Sequence, residues 1–303
     1  MRREVAHAQR AAKVRAAVGS WIEAGMIDEA AATLIRDLYP DDRVRVSTPL
    51  RVLFFFFTAV ASLALFGWLL LLAEGIFESV SGLALIAGTG LVVLTEVLTG
   101  QKRRAESGAE EATALLAVCL LLGAAERMLS GTDGGLLGRP TALASIAALL
   151  CAAAAWRWGG VLFGGAGALA AFVALAGLPA ARWIWLLTAA LSFLPLLSAA
   201  ESGRRAPGQR RAFAAALAVA VVAAYAALHP VGSSVAWLPA LAGSSLQDAS
   251  PPLTFPTALA RLGIVLLPAS LLLAGIRWRR RLLLDLGLIL AVLSALCGFA
   301  LIW

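Results

Sequence analysis

Residues 50–73 read LRVLFFFFTAVASLALFGWLLLLA, an apolar run that contains a single charge, Arg51. A helix of this length extends about 36 Å, which exceeds the roughly 30 Å hydrocarbon core of a bilayer. Its apolar residues occupy every face, so no side of the helix suits water. The stretch therefore predicts a helix that crosses a membrane.

Eight further apolar stretches follow the first. They lie at residues 80–99, 110–126, 141–156, 159–178, 182–200, 211–228, 258–275 and 282–302. The composition agrees, because 61% of the 303 residues are hydrophobic and 14% are charged, whereas soluble chains carry about a quarter charged residues. We expect an all-α, polytopic membrane protein with about nine transmembrane helices in residues 50–303.

The basic residues predict the orientation of these helices. If residues 1–49 are cytoplasmic, 21 of the 25 Lys and Arg residues fall on the cytoplasmic side. The exceptions are Arg127, Arg139, Arg182 and Arg261. Because basic loops stay in the cytoplasm, this distribution predicts an N-in, C-out protein. Clustering of the basic residues in short loops also argues against a nucleic-acid partner for the net charge of +7. The predominance of Arg over Lys in an Ala-, Leu- and Gly-rich background is typical of a GC-rich bacterial genome.

Residues 1–49 predict a short cytoplasmic helical hairpin and linker. Gly25 suits a left-handed helix end, and Asp28 suits the cap of a second helix. The apolar residues of the hairpin form a candidate docking surface for a protein partner: Trp21, Ile22, Leu34, Ile35 and Leu38. The alternative is a cap that packs on the membrane helices.

Charged residues inside a bilayer are costly and are therefore candidates for function. Glu96 lies near the inner end of the second predicted span, and Asp285 lies near the inner end of the ninth, four residues after Arg281. This spacing predicts a helical ion pair between Asp285 and Arg281. We favour structural pairing over a proton or ion site for these charges.

A second set of polar residues lies at the predicted outer ends of the spans. The candidate outer polar cleft comprises Glu126, Arg127, Tyr225, His229 and Arg261. Tyr225 and His229 are four residues apart and share one helix face. The alternative is that these residues only mark the water boundary. The proline-rich outer segment, residues 229–257, is either an external loop or a re-entrant piece.

Small and hydroxyl residues within the spans are expected to serve packing. The glycines of residues 159–167 include a small-xxx-small spacing, which lets two helices approach closely. Three serines are expected to bond back to their own helices: Ser192, Ser198 and Ser294.

No catalytic or metal-binding pattern is present in the sequence. It contains no P-loop, GxSxG or HExxH motif, and its two histidines are His7 and His229. Cys119, Cys151 and Cys297 lie in predicted spans without CxxC spacing, so neither a disulfide framework nor a metal site is indicated. We expect no catalytic residues, no metal and no cofactor.

The first part of the chain resembles a known family in three features. These are the run Trp21-Ile22-Glu23-Ala24-Gly25-Met26-Ile27-Asp28, Arg51 ahead of the apolar segment Val52 to Leu72, and a polar-then-apolar arrangement from Arg103 to Leu122. Over roughly 130 residues the chain resembles the bacterial multi-pass membrane proteins of domain of unknown function 2157. It departs from them at Gly67-Trp68, where the family has Asn-Trp. The resemblance implies an inner-membrane protein and carries over no catalytic residues.

The sequence leaves three functions open. The scarcity of buried charge favours a non-enzymatic structural or accessory subunit of a membrane complex, whose hairpin docks a cytoplasmic protein. A transporter or flippase-like protein would need a water-filled outward cleft near Tyr225, His229, Glu126 and Arg261. An enzyme acting on a lipid-linked substrate would need carboxylates and Arg to converge around residues 229–257.

Overall fold

The computed structural model describes residues 11, 14–15, 17–39, 47–73, 80–100, 108–130, 138–176, 178, 181–203, 205, 207–228 and 257–302. Side chains within helices lie outside this description at residues 48, 70, 72, 73, 100, 181, 182, 207, 257–261 and 296–302. Over the described ranges every regular element is a helix. The protein is all-helical in this part of the chain, as the hydropathy pattern predicts.

The helices follow one another in the order of the predicted stretches. The hairpin contains α1 (residues 17–23) and α2 (Glu29–Leu38). The longer helices are α3 (Thr48–Ala73), α4 (Val80–Gly100), α5 (Ala109–Leu129), α6 (Arg139–Arg157), α7 (Val161–Ala176), α8 (Ala181–Glu201), α9 (Pro207–Leu228), α10 (Thr257–Arg277) and α11 (Arg281–Ile302).

Six of these helices contain segments long and apolar enough to cross a membrane. The segments are Pro49–Leu69, Val80–Thr99, Ala109–Leu129, Arg139–Arg157, Trp183–Glu201 and Gly208–Leu228. Helix α7 is shorter than its predicted range of 159–178, because Gly159 and Gly160 have φ values of 83° and 102°, which are incompatible with a helix. The architecture is that of a helical membrane protein.

The long helices belong to two compact units. Unit 1 comprises Met1–Ala124 with Arg204–Ala206, and unit 2 comprises Ala125–Gly203 with Pro207–Trp303. The hairpin and helices α3 and α4 lie in unit 1, and helices α6 to α11 lie in unit 2.

Unit 2 is built from antiparallel helix pairs that pack closely. The pairs are α6 with α7, α8 with α9, and α10 with α11, and α7 also packs along α9. One core cluster centres on Leu217, Leu283 and Leu290, and in another the rings of Phe172 and Trp185 meet edge to face at 5.5 Å. These close-packed apolar side chains form the core of the unit.

Helices α4 and α5 of unit 1 contact each other. Gly88 of α4 lies against Leu121 of α5, where an added Cβ would be 3.0 Å from the leucine side chain. The hydroxyl groups of Thr95 and Thr113 lie 3.0 Å apart, and both residues are buried. In contrast, no residue of the Pro49–Leu69 segment of α3 is buried.

Local capping signals determine the fold of the hairpin. Gly25 has a φ of 68°, and the Asp28 carboxylate accepts a hydrogen bond of 2.8 Å from the backbone N–H of Ala31. The predicted helix end and helix cap are therefore confirmed. Arg15 fastens the two helices, because its guanidinium donates to the carbonyl oxygens of Arg36 and Tyr39 at 2.8 and 2.7 Å.

Candidate functional site

The hairpin carries an exposed apolar surface, here called the hairpin face, formed by Met26, Leu34 and Leu38. Their exposed fractions are 63%, 65% and 65%. The interior of the hairpin is instead closed by small side chains, including Ala32 and Val18. Among the five predicted docking residues, Leu34 and Leu38 are the most exposed, Trp21 is exposed to 36%, and Ile22 and Ile35 are half-buried. Hairpin folding therefore leaves an apolar surface uncovered.

The predicted intramembrane charges lie near helix ends. Glu96 is half-buried in α4, next to the buried Thr95. The Asp285 carboxylate lies 3.9 Å from the Arg281 guanidinium, and their side chains are exposed to 61% and 94%. Exposed pairs of this kind contribute at most about 1 kcal/mol to stability. The geometry of Asp285 and Arg281 is that of a helical surface pair.

A salt bridge in unit 1 joins two residues that the sequence did not pair. The Arg51 guanidinium at the start of α3 contacts the Glu111 carboxylate at the start of α5. Next to it, Gly108 has a φ of 90°, and an added Cβ would lie 2.3 Å from the carbonyl oxygen of Arg51. The sequence feature that could have predicted this salt bridge is the position of the two charges, Arg51 just ahead of one apolar stretch and Glu111 at the start of another. The salt bridge places the first residues of both helices at the same end of unit 1.

The residues of the predicted outer cleft have separate surroundings where the structure describes them. Glu126 forms a salt bridge with Arg139 across the α5–α6 connection, and Arg127 is exposed. Tyr225 is 5% exposed and belongs to a hydrophobic core cluster. His229 and the side chain of Arg261 lie outside the described residues, as do most of residues 229–257.

Tyr225 takes part in a polar chain across three helices. Its hydroxyl group lies 2.8 Å from the Ser294 hydroxyl in α11, and Ser294 donates to the carbonyl oxygen of Ile264 in α10 at 3.3 Å. In a helix this carbonyl would accept from the N–H of residue 268, but residue 268 is proline and has no N–H. Ser294 thus replaces a hydrogen bond that Pro268 removes.

The serine predictions are only partly correct. Ser192 and Ser198 donate to Ala189 and Pro195 within their own helix, as expected. The expectation for Ser294 was wrong, because its partners lie on α9 and α10. A carbonyl without its helical N–H attracts a donor from a neighbouring helix, since an unpaired carbonyl in an apolar interior is costly.

Several basic segments of unit 2 meet at one end of its helices. The Arg280 guanidinium contacts the Glu201 carboxylate, and Arg210 donates to the carbonyl oxygen of Ala200 at 2.9 Å. Gln209 donates to the carbonyl oxygen of Trp156. The end of α6, the end of α8, the start of α9 and the α10–α11 turn therefore lie together.

Glycines allow this close approach. An added Cβ on Gly164 of α7 would lie 2.0 Å from the carbonyl oxygen of Ala212, and one on Gly159 would lie 2.6 Å from the backbone of Gly208. The packing role predicted for these glycines is confirmed.

An apolar groove lies between α9 and α10. It has a volume of about 510 Å³, and its lining includes Leu228, Gly263, Leu266, Ser270 and Leu273. The Ser270 hydroxyl already donates to the carbonyl oxygen of Leu267 at 2.8 Å. The groove is suited to hydrocarbon rather than to a polar substrate.

Among the described residues, no three His, Cys, Asp or Glu side chains are grouped closely enough to hold a metal ion. The chain matches no protein-family model, no curated protein and no solved structure. The resemblance to domain of unknown function 2157 remains a prediction from the sequence.

Proposed function

We propose that this protein is a nine-span, N-in, C-out protein of a bacterial inner membrane, related to domain of unknown function 2157. It serves as a non-enzymatic structural or accessory subunit, and its N-terminal hairpin docks a cytoplasmic protein partner. The proposal combines the membrane-type helices, the grouping of the basic helix ends and the exposed hairpin face.

Contacts between helix ends support the proposed topology. In unit 2 the segments around Trp156, Glu201, Arg210 and Arg280 lie at one end. These segments carry Arg157, Arg210 and Arg277, which are among the 21 basic residues predicted to be cytoplasmic. Arg139 starts α6, about 27 Å along the helix from Arg157 at about 1.5 Å per residue. Arg139, which is predicted to lie outside, and the basic residues predicted to be cytoplasmic thus lie at opposite ends of the helices. A regular series of membrane crossings requires this arrangement.

Cysteine labelling tests this topology. In a variant without native cysteines, Ser130→Cys is expected to react with a membrane-impermeant maleimide from the outside of intact spheroplasts. Ser202→Cys is expected to react only after the membrane is opened. The reverse pattern, or labelling of both from the same side, would contradict the proposed orientation.

The exposed hairpin face is the observation that supports partner docking most directly. Burying a leucine side chain contributes about 1.5 to 3 kcal/mol, so Leu34 and Leu38 together offer a substantial driving force. Both leucines are exposed in the folded hairpin, whereas Ala32 and Val18 are buried and Arg15 bonds to the end of the second helix. Such a surface suits a protein partner with a complementary apolar patch.

Two neighbouring substitutions test the docking proposal. Leu34→Glu places a charge on the hairpin face, and Thr33→Glu places the same charge on an exposed neighbour, whose hydroxyl donates to the carbonyl oxygen of Glu29 in its own helix. Full-length protein is purified in mild detergent, and the bound subunits are identified and weighed by native mass spectrometry. We expect a partner of fixed stoichiometry with the parent and Thr33→Glu, and at least tenfold less of it with Leu34→Glu.

Equal retention of the partner by both variants would contradict docking through the hairpin face. Purification of the parent protein alone would contradict the accessory-subunit function itself. Thermal unfolding of all three proteins controls for folding, since both residues are exposed and neither substitution should change the Tm.

A further inference from the structure

The turn between α10 and α11 has an unusual backbone. Arg280 donates its N–H to the carbonyl oxygen of Gly275 at 2.9 Å, and Arg279 donates its N–H to that of Ile276 at 3.3 Å. This pair of bonds ends a helix with one residue in the left-handed conformation, a position where glycine is usual. Here that residue is Arg279, with a φ of 52°.

Arg279 is an exception among the described residues. The other positive φ values there belong to glycines: Gly25, Gly108, Gly138, Gly159 and Gly160. A glycine at position 279 would relieve backbone strain, so the arginine is not explained by the turn itself. Strain of this kind is a reason to look for a function of the side chain.

The charges around the turn are only partly compensated. Glu201 contacts Arg280, and Asp285 lies 3.9 Å from Arg281. Arg277 and Arg279 are exposed, and no described acidic residue forms a salt bridge with either of them. No described acidic residue therefore neutralises the guanidinium groups of Arg277 and Arg279, which lie on either side of Trp278 and can bind an anion.

The surface beside these cations is apolar. Leu273 and Ile276 on the last turns of α10 are exposed to 67% and 66%, and Trp278 is exposed to 58%. Tryptophan at the end of an apolar helix is typical of the membrane interface. The combination of two exposed guanidinium groups with an adjoining apolar surface matches a molecule that has a phosphate group and hydrocarbon chains.

We propose that Arg277 and Arg279 bind the phosphodiester headgroup of an anionic phospholipid, with its acyl chains along Leu273 and Ile276. Guanidinium groups donate two parallel hydrogen bonds to phosphate, and basic clusters at the cytoplasmic ends of membrane helices attract anionic lipids. The inference rests on the membrane placement in the proposed function and assigns the lipid to the cytoplasmic leaflet.

The test compares lipids that differ only in the headgroup. Full-length protein in detergent is titrated with phosphatidylglycerol or phosphatidylcholine of identical acyl chains, and bound lipid is counted by native mass spectrometry. We expect preferential binding of phosphatidylglycerol, weakened about fivefold by Arg277→Gln and by Arg279→Gly. Arg127→Gln is the matched control, because Arg127 is an exposed arginine near the Glu126–Arg139 pair at the other end of α6.

Arg279→Gly separates lipid binding from structure. It relieves the left-handed strain, so we expect a higher Tm together with weaker phosphatidylglycerol binding. A purely structural arginine would not give this opposite pair of changes. Unchanged phosphatidylglycerol binding in both Arg277→Gln and Arg279→Gly would overturn the proposal.

Three further outcomes show which part of the proposal has failed. Displacement of phosphatidylglycerol by millimolar inorganic phosphate would indicate a site for free phosphate and overturn the lipid assignment. Equal binding of both lipids would overturn the headgroup site while leaving the membrane placement intact. A protein that binds neither lipid and stays folded without detergent would contradict the membrane placement as well.

Discussion

Helices α3 and α9 are both long and apolar, but their surroundings differ. None of the Pro49–Leu69 segment of α3 is buried, whereas buried residues run along the Gly208–Leu228 segment of α9, from Ala212 to Ala227. Glycine and alanine bring α9 against α7, while α3 carries exposed large side chains such as Phe56 and Phe57. Hydropathy alone does not distinguish the two cases. Small residues at contact positions do, because association in lipid depends on close packing rather than on water exclusion.

The described contacts between helices therefore differ from one unit to the other. Unit 2 uses glycine contacts and leucine cores, and its polar bonds serve special positions such as the Ile264 carbonyl. Among the described residues of unit 1, the links between long helices include a salt bridge at Arg51 and a buried threonine pair. Substitutions at these contacts test the contrast.

Gly164→Ala is expected to have the largest effect. The added methyl group would lie 2.0 Å from the carbonyl oxygen of Ala212, and a backbone atom cannot move aside as a side chain does. We expect a loss of about 3 kcal/mol of unfolding free energy. Thermal unfolding in detergent should show this as a fall in Tm of about 10 °C.

Gly67→Ala in α3 is the matched control for this prediction. No atom lies within 4 Å of the position of its added Cβ. We expect an unchanged Tm or a gain of up to about 1 kcal/mol from helix propensity. Similar losses in both variants would remove the contrast between the two helices.

Ser294→Ala is expected to have an intermediate effect that depends on Pro268. The substitution removes the donor to the Ile264 carbonyl and the hydrogen bond between Ser294 and Tyr225, which costs about 2 kcal/mol. In a Pro268→Ala background the N–H of residue 268 returns to the Ile264 carbonyl, so the same substitution should cost about 1 kcal/mol. A double-mutant cycle of thermal unfolding measures this coupling. Additive effects would show that Ser294 does not replace the missing helical bond.

The smallest effect is expected at the salt bridges. Arg51→Gln and Glu111→Gln should show a coupling energy of about 1 kcal/mol, because the Arg51 side chain is only 26% exposed. The corresponding pair in unit 2, Glu126 and Arg139, is more exposed and should couple by about 0.5 kcal/mol or less. A larger coupling at Glu126 and Arg139 would mean that unit 2 also depends on ion pairs.

Local patterns in the sequence predicted the helices well. The nine apolar stretches coincide with helices α3 to α11 to within a few residues, because hydropathy is a property of consecutive side chains. Gly25 and Asp28 were predicted correctly for the same reason, since a helix end and a cap depend on a few neighbouring residues. The largest boundary difference is at α9, which begins at Pro207 rather than at residue 211, because the polar residues Gln209 and Arg210 kept its first turn out of the apolar stretch.

Contacts between distant residues were less predictable. Arg51 and Glu111 are sixty positions apart, and no local pattern indicates that they meet. Pro268 removes the helical N–H that would donate to the Ile264 carbonyl, which follows from the sequence. That Ser294 donates to this carbonyl instead depends on how the helices pack. Tyr225 was assigned to a cleft from its position near a helix end, whereas its burial depends on leucines from α8, α10 and α11.

The exposed circumference of α3 has a consequence for how the chain is made. A helix that needs no neighbour to cover its surface is stable in hydrocarbon as soon as it leaves the translocation channel. Helices α7 and α9 differ, because the backbone contact between Gly164 and Ala212 can form only after both have been synthesised. During biosynthesis α3 would therefore enter the lipid alone and tether the ribosome-bound chain, while the later helices assemble beside the channel in pairs.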